Sequence, residues 1–302
     1  MTTPSPASPA LADAGDARFW IDTMPVTRRQ VPCSMIVRLG LILVLMSAVT
    51  SHSSPIRLPT ALIAPEERGE YVARDARTEE ELWRTRWVIE RTSNGNGIVY
   101  HVREDGAGRR GRPEPTRWTV TMEVDLAQGT EAFFAVREIR DLSDRPIETM
   151  RRAVSYKAGT GTVTIVDHLK NVERSESFTV EETSIPVELL PMQLRALSDA
   201  PERRMRFHLL TREGKSVPMA ARIVGQETIR TPAGEFAAYK TELSITGVRG
   251  VIGQVVLPAM HMWHRVDPPH AWLRYRGLDG GIGSREVVMD LVRFETDAKQ
   301  AR

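Results

Sequence analysis

Apolar and polar positions alternate along most of this chain. Trp83, Thr85, Trp87 and Ile89 alternate with Arg84, Arg86 and Glu90, and after Asn94-Gly95-Asn96-Gly97 the pattern resumes at Ile98, Tyr100 and Val102. A period of two broken by Asn-Gly predicts a β-hairpin, because both residues tolerate the positive φ of a tight turn. Trp118, Val120, Met122, Val124 and Leu126 alternate with Thr119, Thr121, Glu123 and Asp125, giving a strand with one apolar and one wet face. The same reading predicts strands near 131–140, 149–157, 162–168, 174–181, 205–212, 219–229, 236–246, 260–266, 271–276 and 286–295. Helical spacing occurs at Val187, Leu190, Leu194 and Leu197, with Ser184 as the expected cap and Pro186 in the first turn. Pro191 would strain the middle of that helix and predicts a break into two short turns. The Pro-rich stretch 54–65 reads as an extended lead-in, and the charged stretch 66–81 as a short helix or an ordered arm. So many strands without helices between them exclude a doubly wound α/β fold. The expected fold is all-β and mainly antiparallel: one long curved sheet or open half-barrel with a short helix across it.

The N-terminus follows a different pattern. Leu39 to Val49 form an apolar run without a charge, preceded by Arg28, Arg29 and Arg38 and followed by small and polar residues from Ser47 to Ser54. That order is the layout of a secretory signal peptide. The run is shorter than the roughly 20 apolar residues a membrane-spanning helix needs. A buried core helix and a retained anchor are the alternatives that such a segment allows. Met24 and Met35 lie nearer the run than Met1 does and are the expected starts of translation. The organisation read from the sequence is a non-native or disordered extension at 1–34, a signal peptide at 35–53, a lead-in at 54–80 and a single β domain at 81–297. The expected location is periplasmic or secreted, with no integral membrane span once the signal is removed.

Composition narrows the chemistry. Hydrophobic residues make up 41% of the 302, enough for a sizeable core, and the formal net charge is only +2. That balance argues against a nucleic-acid partner. Cys33 is the only cysteine, so no intramolecular disulfide and no Cys-based zinc site can form. It precedes the apolar run, which is the wrong side for lipidation of a lipoprotein.

One resemblance adds to this. The segment Gly225-Gln-Glu-Thr-Ile-Arg-Thr-Pro-Ala-Gly-Glu-Phe-Ala-Ala-Tyr-Lys240 resembles a strand, Thr-Pro-x-Gly-x-Phe turn and returning strand of a bacterial envelope family with no assigned function. The turn has a physical logic: Pro232 presets the first corner and Gly234 absorbs positive φ. Trp263, Pro268-Pro269-His270 and Arg274-Tyr275, then Gly283-Ser284-Arg285-Glu286-Val287-Val288-Met289-Asp290-Leu291, are similar to the closing strands of that family. The likeness covers roughly 205–295. It implies a secreted or periplasmic β-sheet domain akin to the half-barrels that carry lipoproteins or lipids, and no catalytic residue.

Candidate chemical groups are few. His261, His264 and His270 lie close to Asp267, but positions 261 and 264 point to opposite faces of a strand and Pro268-Pro269 turns the chain before His270. No metal and no cofactor is therefore expected. No G-x-S-x-G elbow is present. The glycines of 277–283 open a strand instead of a helix, which makes them a hairpin loop and not a phosphate cradle. Gly106-Ala-Gly-Arg-Arg-Gly-Arg112 reads as a basic, flexible, solvated hairpin tip. Trp263, Trp272 and Tyr275 are the candidate ligand-lining residues, with ordinary core packing as their alternative role. Three functions compete: a non-enzymatic envelope protein binding a lipid, an acyl chain or a partner protein on its curved sheet; an exported hydrolase using His264 or His270 and a carboxylate; and a structural assembly factor. A hollow apolar interior favours the first, a closed polar cleft the second, and a solid core with an apolar outer patch the third.

Overall fold

In a computed structural model the described residues are 58, 60–93, 97–126, 132–246, 259–280 and 283–296. The expected signal peptide, the extension before it and the turn residues 94–96 lie outside them. The described strands are β1 (Glu66–Asp75), β2 (Glu81–Ser93), β3 (Ile98–Gly108), β4 (Thr116–Asp125), β5 (Ala132–Arg140), β6 (Pro146–Ser155), β7 (Thr160–Asp167) and β8 (Val172–Thr179). They continue as β9 (Ser184–Pro186), β10 (Arg204–Leu210), β11 (Ser216–Thr231), β12 (Gly234–Ile245), β13 (Met260–Arg265), β14 (Trp272–Leu278) and β15 (Glu286–Thr296). All fifteen join one sheet that does not close into a barrel. The order runs β8 back to β1, then β15 back to β9. Two meanders therefore meet at a single seam, where β1 pairs antiparallel with β15. Only β9 and β10 pair in parallel.

The fold class read from the alternation is the one observed, with two local differences. The charged stretch 66–81 forms neither helix nor arm: most of it is β1, hydrogen-bonded on both sides. Its outward residues are charged apart from the buried Val72, while Tyr71 and Ala73 are buried on the inner face. The expected helix is also shorter. Ser184 to Pro186 form the edge strand β9, and Ser184 Oγ accepts a hydrogen bond from the Glu181 N–H instead of capping a helix. A 3-10 turn at Val187–Leu189, the four-residue α1 (Leu190–Gln193) and a second 3-10 turn at Leu194–Ser198 follow. Pro191 has no N–H to donate, so a regular ladder cannot run through it.

This broken helical segment fills the inner face of the sheet. Leu189, Leu190, Met192, Leu194 and Leu197 are buried in one core cluster with Tyr71, Trp83, Trp118, Phe133, Leu243, Met262 and Leu291. A bidentate ion pair fastens it there. Arg195 donates from both terminal nitrogens to the Glu67 carboxylate at 2.8 Å, and Glu67 also accepts the Ala64 N–H. Arg195 donates as well to the Leu62 carbonyl at 3.0 Å.

The Asn-Gly hairpin pairs as expected, from Ser93 opposite Ile98 onward. At the Thr-Pro-Ala-Gly turn, Thr231 faces Gly234, whose φ is 133°. An added Cβ at Gly234 would find open space, its nearest neighbour being Phe236 at 3.7 Å. The demand for glycine there is one of backbone conformation alone. Gly234→Val should accordingly lower unfolding free energy by about 1–3 kcal/mol. Thermal unfolding indistinguishable from wild type would show that the turn does not need the left-handed region.

Candidate functional site

Four charged residues, Glu104, Arg137, Glu148 and Arg152, break the apolar alternation on the inner face between β3 and β6. Cross-strand register places Trp87, Glu104, Val120, Arg137, Met150 and Ile165 in one row across β2 to β7. In the next row Arg152 lies opposite Ala135 and Val163. These charges sit among Tyr100, Val102, Phe133, Ile139 and Val154, all buried. Desolvation at such positions is costly, so partners are expected.

Most of them have partners. Glu104 accepts from Arg110, from Thr85 Oγ1 at 3.0 Å and from Trp118 Nε1 at 3.0 Å. Burial pushes its pKa up, but Arg110 and the Trp118 bond outweigh this and hold it below the usual carboxylate range. Arg110 lies over the rings of Trp83 at 4.9 Å and Trp118 at 5.3 Å. The basic segment 106–112, expected as a solvated tip, is thus partly strand β3 and partly a lid on two tryptophans. The reason is the inward carboxylate of Glu104, which gives Arg110 a partner. On the far side Arg152 pairs with Glu188 and donates to the Thr211 carbonyl at 2.6 Å. Burial raises the pKa of Glu188, and Arg152 and Arg212 more than reverse that. Arg112 reaches Glu148 at 2.9 Å.

The aromatic candidates do not converge. Trp263 is 6% exposed and lies opposite Arg274, whereas Tyr275 lies opposite Met262 and Met289. With strict alternation this puts Trp263 and Tyr275 on opposite faces. Trp263 is buried on the outer face, where its Nε1–H donates to Glu227 at 2.6 Å and Lys240 lies 5.4 Å from its ring. The bent β11–β12 hairpin crosses β14 and β15 at that point: the Ala233 N–H donates to the Leu291 carbonyl and Arg274 donates to the Arg230 carbonyl. Trp272 packs on Tyr71 with ring centroids 4.6 Å apart, and Tyr71 donates its hydroxyl hydrogen to the Trp272 carbonyl. Tyr275 donates to the Leu278 carbonyl at 3.0 Å.

The histidines are structural in their contacts. His264 is buried with Nε2 3.0 Å from the Pro191 carbonyl, which fixes the proton on that nitrogen. His270 is buried with Nδ1 3.0 Å from the Arg265 carbonyl, and Nε2 lies 3.6 Å from Asp199. His261 is on the outer face beside Trp263. Among the described residues no group of three or more His, Cys, Asp or Glu is placed to hold a metal ion.

Burial pushes the pKa of His264 down to about 3, with the Pro191 bond opposing and Arg195 and His270 adding to the depression. The unfolded chain takes up this proton near pH 6.5, and the folded protein only near 3. The contribution is therefore whole above pH 6.5 and is lost as pH falls toward 3, at up to about 1.4 kcal/mol per pH unit. Between pH 6.5 and about 5.5 carboxylates remain almost wholly ionised, so His264→Gln should flatten the pH slope of unfolding free energy in that window. An unchanged slope would mean that His264 does not fold as the neutral ring.

No protein-family model matches this chain. No curated protein matches it. Among solved structures, a β-barrel-like protein of domain of unknown function DUF1849 from Brucella abortus superposes with a TM-score of 0.50 at 9% identity, covering 77% of this chain and 98% of its own. A protein from Bacteroides fragilis inferred to be exported, with a YmcC-like fold, gives 0.31 at 10% identity over 76% of this chain and 95% of its own. A protein from Parabacteroides distasonis inferred to be a lipoprotein gives 0.33 at 9% identity over 78% and 98%. The last two superpose too loosely to bear on the fold. The Brucella protein shares the fold, a β-barrel-like bacterial domain of unknown function, in keeping with the hairpin resemblance.

Proposed function

We propose that this chain is a non-enzymatic exported protein that uses the inner side of its curved sheet as a recognition surface for an envelope partner or an amphipathic ligand. The observation that carries the reading is the division of the inner face. Toward β12–β15 and β1 it is filled by the 187–198 segment, which leaves its apolar side chains already satisfied. Toward β3–β6 it carries ionic groups that keep partial contact with solvent, with side-chain exposures of 16% for Glu104, 22% for Glu148 and 25% for Arg212. A filled apolar half favours a ligand with a charged group over a purely apolar one. The hydrolase alternative relied on His264 or His270, and both donate to or face main-chain carbonyls inside the core. Export is supported by the Arg38-flanked apolar run.

The test is the mature protein purified from the envelope fraction of its own cells. Its N-terminus should begin between about Ser51 and Ile56, and native mass spectrometry should show a retained adduct. An intact N-terminus on a cytoplasmic protein would rule out export. Ester turnover that disappears in His264→Ala would replace recognition by catalysis.

A further inference from the structure

Five arginines and three glutamates meet where the 109–115 loop, β3, β5, β6, the Val187–Leu189 turn and the β10–β11 turn come together. The arginines are 110, 112, 137, 152 and 212, and the glutamates are 104, 148 and 188. Arg110 is taken by Glu104, Arg112 by Glu148 and Arg152 by Glu188. Arg212 approaches only the already engaged Glu188, at 3.8 Å. Arg137 has no hydrogen bond or ion pair among the described residues and senses Glu148 and Glu104 only at longer range. Neighbouring charges do not restore the balance. Asp167 serves the turn it begins and pairs with Lys170, and Asp279 pairs with Arg285. On β8, Arg174 and Glu176 cancel, as do Glu213 and Lys215 in the β10–β11 turn.

An excess of two positive charges in a site only partly open to solvent is costly unless an anion joins it. The strain is visible in Arg137. Burial, with Arg212 and Arg110 adding to it, pushes its pKa down to about 9. Arg212 is lowered for the same reasons. Arginine is the side chain suited to this task, since its planar fork meets the two oxygens of a phosphate or carboxylate at once.

We propose that Arg137 and Arg212, backed by Arg110, form a binding site for an oxyanion, a phosphate or carboxylate group carried by the ligand. The proposal rests on the recognition reading above and names the chemical group recognised. Free phosphate and a lipid headgroup present the same chemistry to these guanidinium groups.

The experiment uses the full mature chain, titrated calorimetrically with inorganic phosphate, dodecyl phosphate and dodecanoate, and followed by thermal unfolding with and without each. At least one anion should bind with one-to-one stoichiometry and raise Tm. Arg137→Gln should weaken that binding at least tenfold, and Arg137→Lys by less, because it keeps the charge and loses the fork. Without any anion, Arg137→Gln should unfold at a higher temperature than wild type, since it removes an uncompensated charge. Equal affinity for inorganic and dodecyl phosphate would assign a free anion, and binding of the dodecyl compounds alone a lipid headgroup. The site is overturned if no anion binds, if Arg137→Gln binds as wild type does, or if it lowers the anion-free Tm. An adduct still present by native mass spectrometry in Arg137→Gln would sink this site while leaving the recognition reading in place.

Discussion

Glu67→Ala is expected to lower the unfolding free energy by about 3–5 kcal/mol, because it leaves the Arg195 guanidinium buried without its counter-ion. Both side chains are almost wholly inaccessible, at 0% and 2% exposure. The pair joins β1 to the 194–198 turn across 128 residues, and the same carboxylate accepts the Ala64 N–H, so its loss also frees a main-chain donor. The double replacement Glu67→Met with Arg195→Met separates the cost of a stranded charge from the worth of the pair. It should recover most of the loss, since well-packed apolar pairs often replace buried ion pairs without penalty. Urea unfolding of the three proteins measures this. A Glu67→Ala loss below about 1 kcal/mol would place the pair in contact with water.

Trp263→Ala should cost a similar amount, about 3–5 kcal/mol. Trp263 is buried between the sheet and the folded-over β11–β12 hairpin, and its removal opens a space that a hairpin pinned at Ala233 and Arg230 cannot readily close. Trp263→Phe keeps most of the ring and loses the bond to Glu227 and part of the Lys240 contact. Glu227 is exposed and rehydrates on losing the bond, so this variant should cost only about 0.5–1.5 kcal/mol for the bond, plus a small packing loss. Denaturant midpoints for the two variants settle the role. If Trp263→Ala unfolds like wild type but loses a bound adduct, Trp263 is a ligand contact and the packing account is wrong.

Where the sheet has one apolar and one wet face, its strands are legible in the sequence, as β4 is from Trp118 to Val124. β1 is not, because Glu67 occupies an inward position that only a distant arginine makes tolerable. The 3-10 and α segment is half legible: its leucines keep helical spacing, while Pro191 and the pairing of Ser184–Pro186 with β10 shorten it. Trp263, Trp272 and Tyr275 drew attention by their type, but their roles depend on which face each takes and on a hairpin that folds back, neither of which alternation reveals. The ionic cluster did leave a signal. Arg137 interrupts Phe133, Ala135 and Ile139, Arg152 interrupts Met150 and Val154, and Glu104 follows Tyr100 and Val102. A charge at inward parity marks a partner to be sought, though the partner's identity comes only from how the strands curl.

The seam between β1 and β15 has a consequence for how the chain comes to be folded. Every strand from β2 to β8 pairs with the strand just before it, and those from β11 to β15 do likewise, so each half assembles from hairpins between consecutive strands, which close far shorter loops than the seam does. β1 alone waits. Its second partner lies at the far end of the sequence; the contact from Tyr71 to Trp272 already spans 201 residues. A chain delivered N-terminus first through a membrane would complete the β1–β8 meander while the donors and acceptors on the open side of β1 were still unmet. Until β15 arrives, that edge is the place where a second copy or a holding chaperone would attach, and the time taken to deliver the remaining strands sets how long the edge stays open.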